Sequence, residues 1–229
     1  MVPHLLLPKR GFKSKALLYE IVNAILYKLK TGIQWSYLPA QALFSTQVLS
    51  HKTVFGHFCN WCKAGVWQSC WSELLKKNKS FIDLSSGDLD GSHTTALRGG
   101  EQVAYQGRKK HKTTNSLYFT NRQGIPLVML EPIAGNHNDL FDKEICFEDI
   151  TNQLTKAEIP LSGLFINADA GFDSQKLRKI FIVRTNARVD SFRSLLNRFD
   201  TTLSSWMAWN FLAFIVIGLK KFKKTKKSR

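Results

Sequence analysis

The chain has 229 residues, 44% of them hydrophobic and 12% aromatic, which suffices for a core in one large domain or two small ones and excludes a disordered tail. Thirty-three Lys and Arg against 17 Asp and Glu leave a formal charge of +16, a balance that favours an anionic polymer or an anionic membrane surface, with nucleic acid first on charge alone. Four cysteines at irregular spacing exclude a secreted disulfide framework, and no N-terminal apolar run carries a cleavage site, so a reducing, intracellular setting is expected.

From Lys15 to about Lys77 the pattern predicts helices rich in Trp. Leu17, Ile21, Ile25, Leu26 and Leu29 recur at spacings of about three and four, one apolar stripe with Lys and Glu off it, and Gly32 is the stop signal. Two or three shorter helices follow, with breaks expected at Pro39, Gly56 and Gly65. Helices joined by short turns in a basic context are compatible with a helix-turn-helix-like module. His57, Cys59, Cys62 and Cys70 invite a zinc reading through "HFCNWC", but the spacing beyond the CxxC is irregular and the neighbours are Phe, Trp and Val, so buried thiols are the expectation.

After "KKNKSFIDLSSG" the pattern changes to strands. "SGDLDGSHTT" sets Asp88 and Asp90 two positions apart, which in an extended strand points both the same way. Asp90 and Asp169 each end a short apolar run and are followed by Gly within two residues; carboxylates converging at strand ends suit Mg²⁺, whereas the plainer alternative makes both turn or cap residues. "YQGRKKHKTT" gathers Arg108, Lys109, Lys110, His111 and Lys112, a cluster suited to phosphate contact or simply to a solvated loop. "NRQG" between two β-rich runs predicts a hairpin, and an amphipathic helix follows with Ile145, Ile150 and Leu154 on one face. The chain from Thr185 onward reads as helical. Within it, Leu203 to Leu219 is nearly apolar and is followed by seven Lys or Arg in ten residues; at 17 residues, with Asn210 near its middle, it reads as a buried core helix, with a membrane anchor as the alternative.

Together "DLDGSHTTALRGGEQVAYQGRKKHKTTNSLYFT", "EPIAGNHNDL", "NADAGFDS" and "RTNARVDSFRSLLNRFDTTLSSW" resemble bacterial insertion-sequence transposases of the DDE type, and "YEIVNAILYKLKTGIQWSYLP" resembles the small helical domain that precedes their catalytic core. The resemblance implies an α/β fold: an RNase H-like mixed sheet flanked by helices over about 81–219, a small all-α domain over about 1–80, and a basic tail at 220–229. It implies two catalytic, metal-binding acids at Asp90 and Asp169, Mg²⁺ or Mn²⁺ as cofactor, and cleavage and strand transfer at the ends of an insertion sequence. DNA is then the partner, with a homo-oligomer on it, a bacterial cytoplasmic, nucleoid-associated location and no stable membrane association. Arg184 and Arg193 join the basic cluster as DNA contacts. The third acid of the family directly precedes "RTNA", and here that position is Val183, which cannot ligate a metal. Only "SQKLRKIFIV" separates Ser174 from Arg184, so an internal deletion near 175–183 is expected, with catalysis impaired or reduced to a DNA-binding remnant. Asp190 is seven residues beyond Val183, about 10 Å along a helix and too far to stand in unaided.

Overall fold

A computed structural model describes residues 16–137, 143–160, 166–167 and 192–227. The helical first part comprises α1 (Leu18–Thr31), a 3-10 turn (Trp35–Tyr37), α2 (Ala40–Leu43), α3 (His51–Lys63) and α4 (Val66–Lys77). α1 buries Ile21, Ile25 and Leu29 of the predicted stripe together with Val22 and Ala24, whereas Leu17 caps the helix at 42% exposed and Leu26 is half-buried; Gly32 ends it at φ 69°, a left-handed value that glycine adopts without strain. Gly65 separates α3 from α4, but Gly56 lies inside α3 and breaks nothing. Val54, Phe58, Trp61 and Cys62 bury one side of that helix, and their packing outweighs the poor helix propensity of one glycine.

Glu20 is the one acid buried in α1. Its carboxylate accepts the Ser45 hydroxyl at 2.5 Å and the Ser45 N–H at 3.0 Å. These bonds hold its pKa below the ordinary 4.5. A depressed carboxylate contributes stability that is present above its unfolded pKa and lost as pH falls through the folded one. Glu20→Gln should therefore flatten the acid limb of a urea-midpoint-against-pH curve; an acid limb of unchanged steepness would show that the Ser45 bonds contribute nothing.

The sheet is mixed. Its strands are β1 (Gly87–Ala96), β2 (Ala104–Gln106), β3 (His111–Asn121), β4 (Pro126–Met129), β5 (Ile133–Ala134), β6 (Ile166–Asn167) and β7 (Asn197–Arg198). β1 and β3 form its centre as a long antiparallel pair; β2, β4 and β5 add antiparallel to the other side of β3, while β6 and β7 pair parallel to the two ends of β1. The predicted hairpin is the β3–β4 connection, where the Asn121 side chain accepts the Ile125 N–H at 2.8 Å. At the start of β1, Gly87 leaves room for the Phe119 ring: a Cβ there would come 2.1 Å from it. The other helices are α5 (Lys143–Lys156), α6 (Arg193–Leu196) and α7 (Leu203–Lys227).

α7 is the core helix. Trp206, Trp209, Phe211, Leu212, Phe214 and Ile215 are each at most 2% exposed, and the helix packs on α1, α3 and α4 as well as on the sheet. Asn210, the residue least suited to a lipid-facing span, is fully buried; it accepts the Tyr118 hydroxyl at 2.9 Å and donates to the Trp206 carbonyl at 3.0 Å. The mixed sheet flanked by helices, with a helical segment before it, is the architecture the resemblance implied.

Three local expectations are corrected. The basic stretch expected as a tail continues α7 as far as Lys227, with Phe222 3% exposed, because lysines are good helix formers and suit the negative end of the helix dipole. Ile145 is 64% exposed; five residues from Ile150, it is turned about 140° around the helix from the face that Ile150 and Leu154 bury. The segment before α7 is not continuous helix: β7 interrupts it by pairing Asn197 and Arg198 with Thr95 and Ala96.

Candidate functional site

Asp88 and Asp90 lie on β1, both half-buried, with Gly87 and Leu89 buried in alternation with them. The period of two places the carboxylates on one face of the sheet, as the sequence implied. Asp90 does not close its strand, however: it is the fourth of ten residues, because β3 gives "GSHTTA" a continuous antiparallel partner.

Register identifies what else shares that face. Asp88, Asp90 and Ser92 stand opposite Thr120, Tyr118 and Ser116. Tyr118 and Ser116 reach α7 on that side, through the Asn210 side chain and the Trp206 indole N–H at 3.1 Å. The acids therefore occupy the sheet face that α7 covers. Beside them runs β6, where Asn167 is the parallel partner of Asp88.

Two carboxylates on neighbouring positions supply the oxygen donors a hard cation prefers. Among the described residues no group of three His, Cys, Asp or Glu side chains could hold a metal ion, and Glu148 on α5 is exposed. Asp169, Val183, Arg184 and Asp190 lie outside the described residues.

The basic cluster occupies the β2–β3 turn and the first two residues of β3. Arg108, Lys109, Lys110, His111 and Lys112 are all exposed, with Lys110 at φ 55° and the Lys109 ammonium donating to the His93 carbonyl at 2.9 Å. The structure brings these five together, but not to the acids. The turn lies beyond the Thr95–Thr113 pair, five residues and about 17 Å along β1 from Asp90, although the Lys109 ammonium folds back to His93, three residues or about 10 Å from it. Arg193 is exposed on α6, which packs on α1.

The sequence reading missed Arg198. It is 1% exposed, and its guanidinium donates to the Thr114 hydroxyl at 2.5 Å, the Asp200 carbonyl at 2.8 Å and the Thr201 carbonyl at 3.4 Å. Burial pushes its pKa down and that of the neighbouring Asp200 carboxyl up, with Trp209, Lys28 and Arg198 acting against the latter shift. Glu101 adds a cap, accepting the Leu203 N–H at the start of α7 at 2.7 Å. Its only sequence signal is an Arg and an Asp two residues apart in the short polar approach to α7. The four cysteines are free thiols, Cys62 and Cys70 buried, and burial raises the pKa of both.

These features define a basic α/β protein on a mixed sheet, with paired carboxylates on the face under α7. Residues 1–71 match the family described as "Putative transposase of IS4/5 family". An 84-residue stretch is 32% identical to the insertion element IS402 uncharacterized 16.2 kDa protein of Burkholderia cepacia, covering 36% of this chain and 54% of that protein. The chain thus spans about half the length of this curated relative. Its N-terminal part is similar to insertion-sequence proteins. Among solved structures, the Mos1 strand transfer complex is similar over 95% of this chain and 78% of that one, at 12% identity and a TM-score of 0.37. The Mos1 transposase paired-end complex with left transposon end is similar over 95% and 79%, at 13% identity and a TM-score of 0.38.

Proposed function

We propose that this chain is a DNA-binding transposase of an insertion sequence whose phosphodiester cleavage and strand transfer are impaired. The parallel register of β1 and β6 carries the reading. Asn167 on β6 pairs with Asp88, two residues before Asp90 on β1, and in the sequence Asp169 follows Asn167 by the same two residues. The Asp90 and Asp169 carboxylates would hold Mg²⁺ or Mn²⁺, which supplies activation of the attacking oxygen and stabilisation of the leaving one. With Val183 at the position of the family's third acid, one anionic ligand is lost and metal binding weakens. Arg108, Lys109, Lys110, His111 and Lys112 contact phosphates away from the acids, together with Arg184 and Arg193.

Cleavage of a DNA carrying the element's ends, with and without Mg²⁺, tests this. The expected result is binding that falls steeply with salt and nicking near background. Robust Mg²⁺-dependent nicking that Asp90→Ala abolishes would overturn the impairment while keeping the site. Nicking untouched by Asp90→Ala would remove the site as well.

A further inference from the structure

α3 has two unlike faces. Val54, Phe58, Trp61 and Cys62 are buried, and the helix packs on α1, α4, α7 and the turn at Trp35–Tyr37. The opposite face runs Lys52, Gly56, Asn60 and Lys63, with Thr53 beside it; the four side-chain-bearing residues are exposed. Steps of four, four and three keep these positions in one line about 17 Å long. The helix contains no Asp or Glu, and Ser50 fixes its start by accepting the Thr53 N–H at 3.2 Å.

Gly56 at the middle of that line has no structural cause. It sits inside a helix, where Ala is the better former, and a Cβ built on it would meet nothing within 4 Å. Neither a left-handed backbone nor a neighbouring side chain requires it. What a bare backbone does provide is close approach by an outside partner. An acid-free face with a lysine at either end, in a chain of charge +16, fits a polyanion. The major groove of duplex DNA, about 12 Å wide, admits one α-helix, with lysines reaching the phosphates and Asn and Thr reaching base edges.

We propose that this face of α3 enters the major groove of duplex DNA, with Gly56 at the point of closest approach, Lys52 and Lys63 on the phosphates, and Thr53 and Asn60 on the bases. The assignment rests on the reading of the chain as DNA-binding and adds which helix does the recognition. The test uses the full chain and a fluorescein-labelled pool of randomised duplexes, with selection for bound sequences. Gly56→Ala is expected to raise the melting temperature yet weaken binding about tenfold or more, because its methyl blocks approach without harming the fold. Lys52→Gln and Lys63→Gln should each lower the slope of log affinity against log salt by about one, and Asn60→Ala should relax the selected sequence. Wild-type binding that Gly56→Ala and both lysine variants leave intact overturns the assignment to α3 while the DNA-binding reading stands. Failure of the wild type to bind any duplex overturns both.

Discussion

Arg198→Ala is expected to cost about 3–5 kcal/mol, a fall of about 10 °C in melting temperature for a chain of this size. The side chain is buried and meets three acceptors, so truncation leaves the Thr114 hydroxyl and the carbonyls of Asp200 and Thr201 without that donor inside the protein. The bonds join separate pieces of chain. Thr114 is on β3 and its hydroxyl donates to the Gln102 carbonyl at 2.9 Å, while the Arg198 carbonyl accepts the Leu97 N–H at 3.0 Å. The loop after β1, the central strand and the entry to α7 are thus held by one guanidinium. Arg198→Met fills the volume without donating and should recover part of the loss, which separates the cavity from the unsatisfied acceptors. Arg198→Lys carries one ammonium in place of a planar fork and should also fall short of wild type. Thermal and urea unfolding of the three variants measure this; a loss below about 1 kcal/mol for Arg198→Ala would mean that the buried acceptors find other donors.

What could be read from the sequence was whatever is local. The glycine stop of α1, most of its stripe and the hairpin before β4 follow from periodicity and turn chemistry within one segment, and the core character of Leu203 to Leu219 from its length and Asn210. The shared face of Asp88 and Asp90 follows from the period of a strand in the same way. Where the reading departed from the structure, a distant partner decided. Gly56 stays helical because Val54, Phe58 and Trp61 pack on other helices. β1 runs past Asp90 because β3 is there to pair with it, and Asn197–Arg198 becomes a strand only because the end of β1 is open beside it. The basic cluster was legible as a cluster, yet its distance from the acids depends on the β1–β3 register, which no single segment encodes. Arg198 was invisible for the same reason: its acceptors come from β3 and from the residues leading into α7.

Trp209→Ala should be as damaging as the loss of Arg198, about 3–5 kcal/mol, because the indole is 1% exposed and joins the helical first part of the chain to α7. Its ring stacks on Phe58 with centroids 4.2 Å apart, lies 5.9 Å from Trp35, and receives the Lys28 ammonium 5.6 Å from its centre. Were α7 a membrane anchor instead, the truncation would leave the stability of the remainder nearly unchanged, so a loss under about 1 kcal/mol would remove the core-helix assignment. A conservative variant isolates the polar contribution. The Trp209 N–H donates to the Asp200 carboxylate, opposing the burial that raises the pKa of that acid. For a carboxyl whose folded pKa is raised, the associated stability is fully present below its unfolded pKa and declines as pH rises through the folded one. Trp209→Phe keeps the stacked ring but removes the donor, so the Asp200 pKa climbs further and the decline extends to higher pH. Trp209→Phe combined with Asp200→Asn should abolish that extension, since the amide does not ionise. A pH-stability profile of Trp209→Phe that runs parallel to wild type from the ordinary Asp value upward would show that the indole contributes packing alone.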